Sequence, residues 1–243
     1  MSIARRRERE FRQREMLILD SAAVMLREHG YLGLNLDRLA ESVEYSKGTL
    51  YQHFGTKEDI VLAIVARSLE RRTQLFERAA RFHGNSRERI LAVGIADDVL
   101  SREESAHFQL VQMVKSRSIW EKTAPERRQA FLMLEERCFG ILELLVREGI
   151  SAGDLELPVV QGAEVAFGLM TMSLGTNLLV DAREWLEGIG LPQPRETLRV
   201  NQHRFLDGLG WKPLLKACDY AEAERRIWSE VFPNEQASFP PLP

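Results

Sequence analysis

The stretch Ser46-Lys47-Gly48-Thr49-Leu50-Tyr51-Gln52-His53-Phe54-Gly55-Thr56-Lys57-Glu58-Asp59 constrains the chain most, because it reads as a short helix held between two stops. Ser46 supplies an N-cap oxygen for the free amides of the first turn, and Gly55 stands just past the last helical position. About two turns lie between them, and a helix that short is marginal by itself. Leu50 and Phe54, four apart, share one face and require a core to pack on. The other faces carry Lys47, Thr49, Tyr51, Gln52 and His53. A cation, hydroxyls, an amide and an imidazole are the groups that reach phosphates and base edges in a major groove.

What precedes this stretch supplies a partner. Asn35 is an N-cap candidate, and Leu36, Leu39, Ala40 and Val43 recur on one face of a second short helix. Glu44-Tyr45 leaves room only for a tight turn into Ser46, so the two helices must cross at a large angle, as in a helix-turn-helix. Upstream, Met16, Leu19, Ala23 and Leu26 predict a first helix ending at His29-Gly30. Residues 5–14 hold six arginines against two glutamates, which reads either as a solvated helix start or as a basic arm against DNA phosphates. Downstream, Val61, Ile64, Ala66, Leu69 and Phe76 predict one long helix from Lys57 to about Phe82, broken at Gly84-Asn85. Such a helix links the head mechanically to whatever follows.

No later stretch alternates with period two, so the remainder is expected to be helical, near 86–100, 104–118, 125–149, 159–187, 194–209 and 213–231. The fold class is therefore all-α. Residues 1–56 are expected as a three-helix DNA-reading head, 57–232 as a helical regulatory and dimerisation domain, and 233–243 as a disordered tail. Charge divides likewise, with 15 Lys/Arg against 12 Asp/Glu in residues 1–83 and 18 against 24 behind. A net charge of −3 does not exclude nucleic acid, because charges act locally and are screened over about 10 Å. Two cysteines without close Cys or His companions offer neither a disulfide framework nor a metal site, and a reducing cytoplasm fits them. Val165 to Val180, the longest apolar run, reads as too short and too polar to span a bilayer.

Gly30-Tyr31, Leu39-Ala40, the run from Ser46 to Phe54, and Lys57-Glu58 together resemble the DNA-binding head of the tetracycline-repressor (TetR) family over roughly residues 12–62. The resemblance implies an all-α homodimer in which Asn35, Ser46, Lys47, Gly48, Thr49, Tyr51, Gln52, His53 and Lys57 lie at or near a double-stranded operator. Lys57, opening the long helix, would meet a phosphate; Tyr51 and His53 would contact the backbone, and Lys47, Thr49 and Gln52 the base edges. His53 also reads as a packing histidine. Gly48 would allow close approach. The chain departs from the family where Glu44 replaces a turn glycine, Tyr45 a small aliphatic residue and Asn35 a threonine. A left-handed turn at Glu44 would cost a side chain roughly 1 kcal/mol.

The family dimerises through its last two large helices, which places the interface at 159–187 and 194–209. The small residues Gly162, Ala163, Ala166, Gly168, Ser173 and Gly175 permit close helix approach there, or merely relieve crowding within one subunit. A small-molecule effector pocket, if one exists, is expected among 104–118, 125–149 and 159–187. Its candidate lining is Gln112, Met113, Cys138, Phe167, Met170, Thr171, Leu174 and Asn177, with Gln112, Thr171 and Asn177 orienting a mostly apolar ligand. Apolar stripes of this kind are also ordinary core. No catalytic, metal-binding or phosphate-binding motif occurs and no cofactor is expected, so an enzyme reading finds no support. The expected function is a ligand-responsive regulator, a repressor released from a palindromic operator. The alternative is a ligand-independent regulator or activator working through a protein partner.

Overall fold

The computed structural model describes residues 3–239, and every element among them is helical. Two compact units divide the chain. The first comprises residues up to Ser68 together with Gln109–Met133; the second comprises Leu69–Phe108 and the residues from Leu134 onward.

In the first unit, α1 (Ile3–Gly33) begins far upstream of the expected apolar periodicity, so the arginine-rich stretch is itself helical. Gly30, at φ 66° and ψ −177°, kinks this helix rather than ending it, and one further turn follows. Then come α2 (Leu36–Ser42), α3 (Lys47–His53) and the start of α4 (Lys57–Ala80). Ile18, Leu39, Leu50, Phe54 and Ile60 are buried and make the core on which the two short helices rest. Burying those side chains, at about 1.5–3 kcal/mol each, is what lets seven-residue helices persist.

The grouping of 109–133 with the head departs from a boundary at residue 56, and specific bonds account for it. Ala124 N–H donates to Asp59 Oδ1 at 2.8 Å, and Thr56 Oγ1 donates to the Lys122 carbonyl at 3.3 Å. The expected helix 104–118 is two pieces, α6 (His107–Val114) and α7 (Arg117–Trp120), because Ser116 accepts the next helix start; α8 (Pro125–Ser151) follows.

The second unit holds the rest of α4 with α5 (Ser86–Glu103), opened by a capping box in which Asn85 and Glu88 bond each other's backbone. Behind these come most of α8, α9 (Gly162–Leu179), α10 (Arg183–Gly188), α11 (Pro194–Gly208), α12 (Tyr220–Val231) and α13 (Pro233–Ser238). The expected helix 159–187 is thus interrupted at Val180–Ala182, and 213–231 starts regular helix only at Tyr220. The helical stretch Val159–Ala182 contains an 18-residue window of mean hydropathy 1.3, long and apolar enough to cross a bilayer by length and composition alone, a test that the core helix of a soluble protein also passes.

Arg87, fully buried, ties this unit together. Its guanidinium donates to the carbonyls of Trp211 (2.7 Å), Pro213 (3.0 Å) and His203 (3.2 Å) and pairs with Asp207 at 2.6 Å. A second buried junction joins α4, α5 and α9, where Arg72 grips Asp97 through two bonds of 2.7 and 2.9 Å. Small residues serve two purposes here: a Cβ at Gly168 would stand 3.1 Å from Phe205, whereas Gly175 faces open space. The expectation of disorder after residue 232 fails for Pro233–Ser238. Glu235 is buried there between Arg78 (2.6 Å) and Arg71 (3.2 Å) of α4, and a charged pair of that kind holds the segment in place. Residues 240–243 lie outside the described residues.

Candidate nucleic-acid interface

Ser46 Oγ accepts the Thr49 amide at 3.1 Å and shares a hydrogen bond of 2.9 Å with Thr49 Oγ1, so the N-cap read from sequence is present. With Leu50 and Phe54 turned inward, the face left outside consists of Lys47, Gly48, Tyr51 and Gln52, flanked by half-buried Thr49. Tyr51 is 52% exposed. Lys47 bonds Asp37 of α2 at 2.8 Å, an exposed pair that raises the lysine pKa and that a phosphate could replace. A Cβ on Gly48 would meet nothing nearer than Ser46 Oγ at 3.7 Å. Packing therefore does not require a glycine at this position, the second of α3.

Asn35 caps α2, its Oδ1 accepting the amides of Asp37 (2.8 Å) and Arg38 (3.2 Å). Glu44 adopts φ 56°, the one non-glycine residue with positive φ among those described. The turn thus keeps the left-handed geometry that a glycine would take without strain. At the other end Lys57 opens α4 with its Nζ 4.1 Å from the Tyr31 ring centroid. Two backbone amides beside it are taken, since Asp59 N–H donates to Thr56 Oγ1 (3.0 Å) and Thr56 N–H to Asp59 Oδ2 (3.2 Å). Lys57 accordingly brings its charge, not those two amides.

His53 corrects the expectation of a backbone contact. Its ring is buried and stacks on Phe11 at 3.9 Å, and burial lowers its pKa, helped by nearby arginines. It is the packing histidine of the two readings. Beside it, Tyr31 Oη donates to Glu58 Oε1 at 2.8 Å. Burial opposes the charge on Glu58, yet this bond, its own amide and Lys122 hold its carboxyl below the usual range. Sequence reasoning missed Phe11, which stacks on His53 from 42 positions away, and Arg127, which reaches the His53 carbonyl from 74 positions away and pairs with Glu15. No periodicity marks such contacts.

The expected effector residues do not share one cavity. On α9, Ala166, Leu169, Ser173 and Asn177 point inward while Phe167, Thr171 and Gly175 are exposed, Phe167 by 55%. The helix is apolar on both sides, so periodicity could not set its phase. Met170 lines a small cavity of about 20 Å³ with Arg72, Asp97 and Gln202. Asn177 lines another of about 50 Å³ with Leu91, Leu198 and Trp228. Thr171 borders an open apolar groove of about 410 Å³ between α9 and α11. Leu174 is half-buried, and Cys138 is a buried thiol whose pKa burial raises. In the first unit Gln112 is exposed and Met113 half-buried. Among the described residues no group of three or more His, Cys, Asp or Glu is arranged to hold a metal ion.

A capped short helix with an exposed polar face, crossed by a second short helix through a two-residue turn, defines a helix-turn-helix DNA-binding protein. Residues 18–64 match the sequence profile described as "Bacterial regulatory proteins, tetR family". The chain is 26% identical over 181 residues to the "Fatty acid metabolism regulator protein" of Bacillus subtilis (strain 168), covering 71% of this chain and 87% of that protein. It is 25% identical over 182 residues to the "HTH-type transcriptional activator FasR" of Mycolicibacterium smegmatis, covering 73% of this chain and 74% of the other. The crystal structure of the regulator FadR from Bacillus subtilis in complex with stearoyl-CoA has the same fold, with a TM-score of 0.59 at 19% identity, covering 79% of this chain and 98% of that chain. Residues 18–64 are thus similar to the DNA-binding head of the TetR family, and the relatives matched over most of the chain are named as regulators.

Proposed function

We propose a homodimeric repressor that two α3 helices seat in successive major grooves of a palindromic operator, about 34–36 Å apart, and that a small, mostly apolar molecule releases. The carrying observation is the outward face of α3. Lys47, Thr49 and Gln52 are proposed for base edges, Tyr51 and Lys57 for phosphates, with Ser46 and Asn35 capping and Gly48 giving clearance. Residues 57–232 would regulate and dimerise. Support for an interface on α9, α10 and α11 comes from Val160 (82% exposed), Trp185 (62%), Leu179, Ile189 and Leu191, apolar surface that a second copy would cover. The same cover accounts for the hydropathy of 159–182 without a bilayer, in keeping with a cytoplasmic protein that meets DNA. We propose no catalytic role.

Release works as a population shift: an effector favouring a head spacing that mismatches the operator, acting along α4, needs a differential affinity of about 1–3 kcal/mol. A relative named for fatty acid metabolism and a fold neighbour holding stearoyl-CoA make long-chain acyl compounds the first effectors to assay. The test is selection of a duplex from a random pool, then titration with and without effector. Lys57→Ala should flatten the salt slope by about one unit. Selection of no duplex, or Lys47→Gln with Tyr51→Phe leaving affinity intact, defeats the DNA reading. A second reading, activation, is kept by the relative named as an activator, and transcription in vitro with the selected duplex separates the two.

A further inference from the structure

The recognition helix α3 ends without the left-handed glycine that commonly satisfies the last carbonyls. Its C-cap Phe54 is extended (φ −138°, ψ 118°), and its amide returns to the Leu50 carbonyl at 2.9 Å. The His53 carbonyl is instead met by the guanidinium of Arg127, in the first turn of α8, at 2.9 Å. That guanidinium lies 4.5 Å from the Phe54 ring centroid, and the same Nη2 also donates to Glu15 of α1 at 3.0 Å. Its neighbours in the chain grip the next junction: the Ala124 amide bonds Asp59, the Lys122 carbonyl accepts from Thr56, and Lys122 Nζ stands 3.5 Å from Glu58. A positive group at a helix C-terminus also favours the helix dipole. A seven-residue helix with few bonds of its own is thus oriented by a side chain 74 positions away.

We infer that Arg127 is a positioning residue for operator recognition, and that the first turn of α8 is an input by which movement of that helix alters how α3 is offered to DNA. This rests on the DNA-binding reading of α3. It adds a route besides α4: α8 runs on unbroken for 27 residues to Ser151, so a shift along it reaches the α3 terminus directly. Arg127 acts here through the protein groups it touches, the His53 carbonyl, the Phe54 ring and Glu15.

Arg127→Gln, Arg127→Lys and Glu15→Gln test it, with the duplex that the wild-type protein selects from a random pool. Arg127→Gln should weaken binding about tenfold, the worth of one charge-assisted hydrogen bond, with the salt slope unchanged. Amide exchange in the free protein should quicken about tenfold at residues 50–54 and stay as it was in α5, which serves as the internal control for global unfolding. Glu15→Gln, which keeps Arg127 but loosens it, should give a smaller change in the same direction, and Arg127→Lys should recover only part of the loss because a point charge does not stack. Unchanged exchange at 50–54 overturns the proposal, as does a salt slope flattened by about one unit, which would make Arg127 a phosphate contact. Selection of no duplex by the wild-type protein would remove the DNA reading, while the exchange measurement still decides whether Arg127 holds α3.

Discussion

Replacing Glu44 by glycine should stabilise this protein, although it deletes a side chain and a charge. Glu44 holds φ 56° in the turn between α2 and α3, with its amide donating to the Glu41 carbonyl at 3.1 Å. Its carboxylate is exposed, and among the described residues no hydrogen bond or ion pair to it offsets the strained backbone. A left-handed conformation costs a residue with a Cβ about 1–2 kcal/mol. Glycine removes that cost but gives the unfolded chain more freedom, about 0.4–1 kcal/mol in the other direction. The balance is a gain of about 0.5–1 kcal/mol, which in a chain of this size raises Tm by roughly 2–4 °C per kcal/mol. Chemical denaturation and thermal melting of Glu44→Gly, Glu44→Ala and Glu44→Asn read it out. Alanine keeps the Cβ and should gain nothing, while asparagine, which tolerates the left-handed region, should fall between. Alanine matching glycine would refute the backbone account and assign the effect to charge. Separately, both glycine and alanine should tighten operator binding by a similar factor at low salt, because each removes a carboxylate that would face phosphates.

Gly48→Ala should stabilise the free protein by about 0.5–1 kcal/mol in denaturant titration, since a Cβ there meets only Ser46 Oγ at 3.7 Å, and should weaken operator binding if the proposed close approach of DNA holds. Arg87→Ala should cost about 3–5 kcal/mol of unfolding free energy, because Asp207 and three carbonyls lose the buried guanidinium that serves them. His203 has its pKa pushed down to about 4, first by burial and then by Arg87. A depressed histidine pKa favours the folded state fully above the unfolded value of about 6.5, and that advantage is lost as pH falls toward 4. His203→Asn should therefore flatten the fall in stability between pH 6.5 and 4, a window read by denaturation at stepped pH; an unaltered profile would show that other groups control it.

The head was legible because its residues act locally. Ser46 and Asn35 each cap the helix that starts at the next residue, Leu50 and Phe54 share a face by spacing alone, and the tight turn at Glu44 leaves few backbone choices. The rest depended on distance in space. His53 reads as a polar residue on an exposed helix until Phe11 arrives to cover it, and Arg127 reads as one of several charges opening α8. On α9, apolar residues on both faces conceal which side is core: Phe167 and Thr171 are exposed, Thr171 at the edge of the open groove between α9 and α11. Glu235 shows the converse: a polar, proline-containing segment has little helix propensity to announce it, and two arginines of α4 create its order.

That last contact also sets a timetable for synthesis. Arg78 and Glu235 are 157 residues apart, so at roughly 5–20 residues per second the arginine waits on the order of 10–30 s for its carboxylate. Arg127, by contrast, is made only 74 residues after His53. The residues of the first unit are all made once Met133 has been added, while the second still lacks Glu235, the acid that pairs with Arg78 and shares Arg71 with Glu103. A nascent chain is therefore expected to hold a finished first unit while the second is still unfinished, which is the interval in which a chaperone would find it.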